Sequence, residues 1–248
     1  MKVSIITVCY NSAATIKDTI DSVISQNYQD IEYIVIDGKS TDRTLEIIRS
    51  YSSQIMKCFS EADNGLYYAI NKGIKVATGE IVGLVHADDV LAAKDVISKV
   101  VEVFIKSKCE AIYSDLQYVD KDNLNKVFRD WKAGSYSDGM FLNGWMPPHP
   151  TFYAKRRLFA DLGAYNTSFK ISADYELMLR FLHGNKISIK YIPEVLVKMR
   201  VGGKSNSSII NRVKANLEDR KAWRVNYLKP NYFTLYQKPL SKLIQFLK

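Results

Sequence analysis

Two adjacent carboxylates, Asp88 and Asp89, follow an apolar run at residues 81–85 and offer the clearest chemistry in the chain. A short apolar run of this kind predicts a buried strand of a parallel sheet, and ligands of such sheets bind beyond the carboxyl ends of the strands. Two carboxylates are costly to bury there unless a cation or hydrogen-bond donors accompany them. We therefore predict that the pair holds a divalent cation, which in turn binds a diphosphate.

A simpler hypothesis is that one of the two acids caps the helix predicted at residues 92–106. That role would explain a single aspartate in this position. Because two acids stand side by side after a predicted strand, we favour the ligand site over the helix cap.

The elements around this pair alternate regularly between strand and helix. Strands are predicted at residues 3–9, 31–36, 55–59, 80–85 and 111–118, and helices at 12–26, 41–51, 64–77 and 92–106. This alternation predicts an α/β fold, with a mostly parallel twisted sheet and helices on both faces.

After residue 119 the regular alternation is lost. Further strands are predicted at residues 151–153, 187–192 and 195–199, and further helices at 155–162, 174–184 and 206–227. No flexible linker separates the two parts of the chain. We therefore predict one compact domain over residues 1–228, with halves at 1–118 and 119–228, followed by a basic amphipathic tail at 229–248.

The composition is that of a globular protein kept in a reducing compartment. With 248 residues, of which 47% are hydrophobic, the chain can bury a sizeable core. Its three cysteines are isolated and form no C-x-x-C pair, which argues against disulfides and a structural zinc site. No signal peptide is predicted, and no apolar run approaches the ~18 residues of a membrane span. We therefore expect a cytoplasmic location.

The net charge of +9 is concentrated toward the C-terminus, where no Asp or Glu occurs from residue 220 onward. This basic segment predicts an anionic partner, but no recognition helix accompanies it, so we do not expect nucleic acid. An apolar stripe at helical spacing follows, formed by Leu240, Leu243, Ile244 and Leu247. The stripe suits either peripheral contact with the inner face of the cell membrane or packing on the protein itself, and both hypotheses stay open.

Several sequence segments occur in the order found in one enzyme family. They are VSIITVCYN at residues 3–11, IVIDGKSTD at 34–42, SEADNGLYYAINKGI at 60–74, ATGEIVGLVHADD at 77–89, HPTFYAKRRLF at 149–159 and SADYELMLR at 172–180. Together they resemble the family-2 inverting glycosyltransferases, which have the GT-A fold. The set is most similar to small non-processive enzymes of bacterial polysaccharide assembly, colanic-acid-type transferases included. The resemblance implies a nucleotide-binding first half and an acceptor-binding second half.

The resemblance assigns donor-binding roles to residues near the predicted strand ends. It implies that the nucleoside is held by Thr7, Cys9, Tyr10, Asn11 and Asp37, and that the phosphates and sugar are held by Asn64, Gly65, Asn71 and Lys72. Two simpler hypotheses remain beside it. Asp37 could form an Asx-turn with Ser40 and Thr41, and Lys72 could be a solvated helix lysine.

The resemblance also implies the reacting groups. Asp89 would ligate the metal, Mn²⁺ or Mg²⁺, and Asp88 would contact the ribose or a metal-bound water. Asp174 would be the general base that takes the acceptor proton, although it could also cap the helix predicted to begin there. His149 would line the acceptor site, or else it is a buried histidine in a rigid proline turn.

Three positions depart from the family pattern. Gly38 replaces a second acid, His86 replaces another aspartate, and Ala173 replaces a glutamate before the base. These departures keep open a degenerate protein that binds a nucleotide sugar without catalysis.

The resemblance implies a metal-dependent hexosyltransferase that takes a sugar from a nucleotide donor, with UDP expected first and GDP or dTDP as alternatives. Its acceptor would be a glycan or a polyprenyl-diphosphate-linked molecule in surface polysaccharide synthesis. A nucleotidyltransferase or a non-catalytic nucleic-acid-binding or nucleotide-binding protein is the alternative. Nucleotidyltransferases usually have a Gly-rich, basic phosphate loop near the N-terminus, and residues 10–14 have neither feature.

Overall fold

The computed structural model describes residues 1–202, 209–231 and 234. The strands are β1 (Val3–Cys9), β2 (Ile31–Asp37), β3 (Lys57–Ser60), β4 (Ile81–Leu84), β5 (Asp89–Leu91), β6 (Ala111–Val119), β7 (Val127–Trp131), β8 (Tyr153–Lys155) and β9 (Ile189–Arg200). The α-helices are α1 (Ile16–Ile24), α2 (Thr44–Ser50), α3 (Leu66–Val76), α4 (Val96–Ser107), α5 (Arg157–Asp161), α6 (Ala173–Met178) and α7 (Ile209–Val225). Short 3₁₀ helices form at Met140–Asn143 and His149–Thr151, and α6 continues into a π-helical segment at Leu179–Gly184.

The strands form one mixed sheet in the order β3-β2-β1-β4-β8-β6-β9-β5, with β7 paired to β6. The pairs β1–β2, β1–β4, β2–β3 and β6–β9 are parallel and include the longest pairings, whereas β8, β5 and β7 add antiparallel pairs. This mostly parallel sheet confirms the predicted fold class. Because Cys9 pairs with Asp37, and Asp37 with Ser60, the carboxyl ends of β1, β2 and β3 lie at one edge.

Helices cover both faces of the sheet. Alternate side chains of a strand point to opposite faces, so Val3 and Ile5 pack into one buried cluster while Ile6 and Val8 pack into the other. Helices α1 and α4 contribute apolar residues to the first cluster, and α3 and α6 contribute to the second.

Helix α3 approaches β1 closely because Gly73 has no side chain. A Cβ atom at this position would lie 2.5 Å from Cγ2 of Ile6, far inside the optimal separation of two carbon atoms. This approach sets the distance between α3 and the sheet. It thereby also places Asn71 and Lys72, the two residues that precede the glycine.

Several predicted boundaries are wrong, and the largest differences surround the two adjacent acids. A short strand, β5, begins at Asp89 and pairs with β9, so α4 starts at Val96 instead of residue 92. The N-cap of α4 is Asp95, which makes the helix-cap hypothesis for Asp88 and Asp89 wrong. The acids instead belong to the turn and strand that follow β4.

Other differences lie in the second half of the chain. The strands predicted at 187–192 and 195–199 are one continuous strand, β9, and β7 was not predicted. Helix α1 begins at Ile16, after its N-cap Thr15, rather than at residue 12. Helix α6 has Ser172 as its N-cap, so Asp174 is not the capping residue.

Within the described ranges, no helix is both long enough and apolar enough to cross a membrane. The apolar stripe predicted at 240–247 lies outside the described residues.

Candidate active site

The first acid of the site, Asp89, is held in a buried turn between β4 and β5. Its side chain is only 1% exposed. The Asp89 backbone N–H donates to the carbonyl of His86 at 2.9 Å, and the hydroxyl of Thr19 on α1 donates to the Asp89 carbonyl at 2.8 Å. These bonds fix the backbone of the turn, and with it the position of the carboxyl group.

The carboxyl group of Asp89 is not fully hydrogen-bonded within the described residues. Within the described structure, its Oδ1 atom is buried and has no hydrogen-bond partner. Burial and the charge of Asp88 raise the pKa of Asp89 well above its usual range, while the guanidinium and backbone N–H of Arg200 oppose that rise. A buried carboxyl of this kind either keeps its proton or requires a cation.

Arg200, at the end of β9, fastens this turn and was missed by the sequence analysis. It is 6% exposed and donates to the backbone carbonyl of Asp88 at 2.9 Å and to that of Lys121 at 3.0 Å. It also forms an ion pair with Asp18 of α1. The Asp88 carboxylate remains partly exposed.

The predicted nucleoside acid, Asp37, is fully buried at the end of β2. Its carboxylate accepts hydrogen bonds from the Ser40 hydroxyl at 2.5 Å, the Ser60 hydroxyl at 2.6 Å and the Ser40 backbone N–H at 3.1 Å. The turn hypothesis is therefore correct for Ser40. For Thr41 it is wrong, because its N–H donates instead to Asn11 Oδ1 at 2.8 Å.

The other predicted nucleoside residues differ in their accessibility. Tyr10 is 53% exposed and packs beside Gly38, whereas Thr7 is fully buried and bonds to the Tyr33 hydroxyl at 3.0 Å. Burial and the nearby Asp37 carboxylate raise the pKa of the Cys9 thiol, so it stays neutral. Only Tyr10 and Asn11 of this group present an exposed surface at the edge of the sheet.

Two of the predicted phosphate-side residues, Asn64 and Gly65, precede α3, and the other two, Asn71 and Lys72, lie within it. Asn64 and Gly65 are exposed, and Gly65 has a φ of 128°, a value that favours glycine. The Asn71 amide exchanges two hydrogen bonds with the backbone of Tyr165, at 2.8 and 2.9 Å. Lys72 forms ion pairs with two acids, Asp63 at 2.6 Å and Glu61 at 2.7 Å, so it is not the freely solvated lysine of the simpler hypothesis.

Asp174 is the second residue of α6, where the positive end of the helix dipole favours a carboxylate. It is partly exposed. Burial raises the pKa of Tyr67 and of Tyr165, and the charge of Asp174 adds to both rises; the same charge opposes the lowering of the His86 pKa by burial. Asp174 therefore lies within electrostatic reach of all three side chains.

Two neutral histidines of the candidate site lie next to each other. The rings of His86 and His149 have centroids 5.5 Å apart, and His149 Nε2 bonds to the Tyr165 hydroxyl at 2.8 Å. Although part of His86 remains accessible, removal from water lowers the pKa of each histidine to about 4. The carboxylates of Asp88 and Asp174 both oppose this shift at His86, so both lie within electrostatic reach of this ring.

The donor set fits a hard divalent cation bound together with a ligand. Across the described residues, no group of three or more His, Cys, Asp or Glu side chains is arranged to hold a metal. Mg²⁺ commonly uses one or two protein carboxylates and takes its remaining oxygens from phosphates and water. The buried, unpartnered oxygen of Asp89 and the partly exposed carboxylate of Asp88 are suited to that arrangement.

Comparison with known sequences gives consistent matches. A family model described as "Glycosyl transferase family 2" matches residues 4–171, which is more than half of the chain. A "PGL/p-HBAD biosynthesis glycosyltransferase" of Mycobacterium tuberculosis is 29% identical over 212 residues, which cover 84% of this chain and 80% of that protein. A second M. tuberculosis protein, named as an uncharacterized glycosyltransferase, is 32% identical over 180 residues, or 72% of this chain and 68% of that protein.

Solved structures share the fold. TarS 1–349 of S. aureus in complex with UDP-GlcNAc aligns with a TM-score of 0.70 and 18% identity, covering 100% of this chain and 72% of that chain. Mannosyltransferase PcManGT from Pyrobaculum calidifontis, in complex with GDP-Man and Mn²⁺, aligns with a TM-score of 0.67 and 20% identity, covering 96% and 68%. In a longer TarS structure the alignment spans only 43% of that chain.

Proposed function

The chain belongs to glycosyltransferase family 2, and from this premise we propose that it transfers a sugar, with inversion, from a UDP-linked donor to an acceptor hydroxyl. The observation that carries the proposal is the arrangement around His86. The charges of Asp88 and Asp174 both act on this ring, and Asp89 follows Asp88 directly at the start of β5. One site thus combines a place for a diphosphate-bound cation with a carboxylate able to take a proton.

In the proposed reaction, the acceptor oxygen attacks the anomeric carbon of the donor sugar. As this bond forms, the bond between that carbon and the diphosphate oxygen breaks, and the electron pair leaves with the nucleoside diphosphate. Asp174 takes the proton of the acceptor hydroxyl. Burial lowers the pKa of His86 and of His149 to about 4, so neither ring carries a positive charge at neutral pH.

Asp89, with Asp88 beside it, would hold the divalent cation. When bound, the cation stabilises the negative charge of the departing diphosphate. Tyr10 offers an exposed aromatic face to a nucleobase beside Asp37, which is consistent with the predicted nucleoside pocket.

UDP and a divalent cation are supported by the structural relatives. TarS was solved with UDP-GlcNAc, and the P. calidifontis mannosyltransferase with GDP-Man and Mn²⁺, so GDP is the alternative carrier. We propose a glycan or polyprenyl-diphosphate-linked acceptor in surface polysaccharide synthesis on the sequence resemblance alone.

A thermal-shift screen of nucleoside diphosphates tests the donor and cation together. A ligand present at 100 times its Kd stabilises a protein by about 2.7 kcal/mol, which raises the Tm of a chain of this size by roughly 5–10 °C. We expect the largest rise with UDP plus Mn²⁺, and smaller rises with UDP alone or with GDP and dTDP. No shift with any diphosphate would contradict the proposal, and pyrophosphate release during turnover would indicate a nucleotidyltransferase instead.

We further propose that the basic tail contacts anionic membrane, which would bring the enzyme to a lipid-linked acceptor. The support is the apolar stripe at 240–247 and the flanking lysines, all of which are known from the sequence only. Sedimentation with anionic liposomes should pellet the full chain and leave a chain that ends before Tyr236 in the supernatant. Equal sedimentation of both proteins would reject membrane contact through this tail.

A further inference from the structure

The segment that leads into α6 is held by a carboxylate from α7. Glu218 accepts hydrogen bonds from three consecutive backbone N–H groups, those of Lys170 at 2.9 Å, Ile171 at 2.9 Å and Ser172 at 2.8 Å. These residues end two positions before Asp174. Glu218 and the segment are more than 40 residues apart in sequence, so only the fold brings them together.

One of these three bonds satisfies the first N–H group of α6, that of the N-cap Ser172. The first N–H groups of a helix have no acceptor within the helix, and the N-cap Ser172 makes no side-chain capping bond. Tyr67 of α3 binds the same segment, because its hydroxyl donates to the Ile171 carbonyl at 2.6 Å. The next two N–H groups, of Ala173 and Asp174, face the Tyr67 hydroxyl.

Two further side chains of α7, those of Lys221 and Trp223, contact the same region. The Lys221 ammonium donates to the Ser168 carbonyl at 2.9 Å and lies 4.5 Å from the centre of the Phe169 ring. The indole N–H of Trp223 donates to the Tyr175 hydroxyl at 2.9 Å, on the residue that follows Asp174. Helix α7 thus contacts the chain on both sides of the base.

We propose that Glu218 is a positioning residue for the reaction: by binding the three N–H groups before α6, it sets the location of the Asp174 carboxylate relative to the donor. This inference rests on the proposed function, in which Asp174 is the base. It gives α7, which lies outside the nucleotide-binding half, an indirect part in catalysis.

The chemistry of the contact predicts which substitutions matter. A glutamine at this position would have one acceptor oxygen, and its NH₂ group would face N–H donors, so it cannot reproduce the three bonds. An aspartate keeps both oxygens but is one methylene shorter. Because a displacement of about 1 Å at a catalytic group can cost on the order of 10²-fold in rate, even a modest shift of the segment should be measurable.

The test compares Glu218→Gln and Glu218→Asp with a matched control, Glu46→Gln, which removes an exposed carboxylate from α2. We expect Glu218→Gln to lower kcat by about 10–100-fold while the KM for donor and the UDP-induced Tm shift stay at wild-type values. Glu218→Asp should recover part of the lost kcat, and Glu46→Gln should match the wild type. If Glu218→Gln does not fold, Glu218→Asp carries the same comparison.

Two outcomes separate the inference from the proposed function. Wild-type kcat in Glu218→Gln, or a matching rise in donor KM that accounts for the whole loss, would overturn the positioning role alone. Full activity in Asp174→Asn, measured in parallel, would instead overturn the assignment of the base. Amide hydrogen exchange gives a readout without turnover: Ile171 and Ser172 should exchange faster in Glu218→Gln, and unchanged exchange would refute the contact.

Discussion

Asp174→Asn is expected to lower kcat by about 10²–10⁴-fold while the fold and donor binding remain intact. The amide has nearly the same size as the carboxylate, but it cannot take the acceptor proton. Asp174 is partly exposed on the first turn of α6, so the change leaves the buried core untouched. Initial rates of sugar transfer at saturating donor measure the effect directly.

Asp161→Asn is the matched control, because it makes the same chemical change at an exposed position of α5. This control should keep wild-type kcat, and all three proteins should show the same Tm rise with UDP. Transfer at the wild-type rate by Asp174→Asn would move the role of base to another group near His86.

Asp89→Asn is expected to reduce transfer by about 10²–10³-fold, since a cation that stabilises the leaving group contributes several kcal/mol. The neutral amide is a weaker ligand for a hard cation than a carboxylate. In this variant, the Mn²⁺-dependent part of the UDP-induced Tm shift should therefore disappear. Retention of that part at full size would show that Asp89 is not a metal ligand.

In the metal-free protein, Asp89→Asn is expected to increase stability, although it impairs sugar transfer. Because the pKa of Asp89 is raised in the folded state, its contribution to stability is full below the unfolded pKa, near 4, and is lost as pH rises through the folded value. Asparagine resembles the protonated acid and avoids this loss. Without metal, the Tm of the wild type should fall relative to that of the variant between pH 5 and 8, and the reverse trend would contradict the burial argument.

Mn²⁺ competes with the proton for the carboxylate of Asp89. The Tm rise that Mn²⁺ produces in the wild type should therefore grow with pH over the same range, and the variant should show no such growth. This comparison separates metal binding at Asp89 from metal binding elsewhere on the protein.

The parallel half of the fold could be predicted because its strands are continuous apolar runs, which are visible in the sequence without knowledge of the strands they pair with. β1 and β4 are buried along their whole lengths, which produces continuous apolar sequence. β7 is largely exposed and combines apolar with charged residues, and β5 has only three residues, so neither leaves a strong pattern. Both strands depend on pairing with β6 or β9, which local sequence does not reveal.

The candidate site was predictable to a similar extent. Asp37 and Asp89 stand out in the sequence because each is an acid that closely follows a run of apolar strand residues. Arg200 and Glu218 do not, since each acts on a segment that is distant along the chain. The hydrogen bonds of Asn71 could not be predicted either, because its amide bonds to the backbone of Tyr165, 94 residues away.

The pairing of β5 with β9 has a consequence for the order in which a ribosome completes this protein. Asp89 lies opposite Met199, about 110 residues later in the chain. A nascent polypeptide can assemble β1 to β4 early, but the turn that carries Asp89 gains its antiparallel neighbour and its Arg200 fastening only after residue 200 has emerged. Until that point in synthesis the growing chain has β1 to β4 of the sheet but an incomplete turn around Asp89.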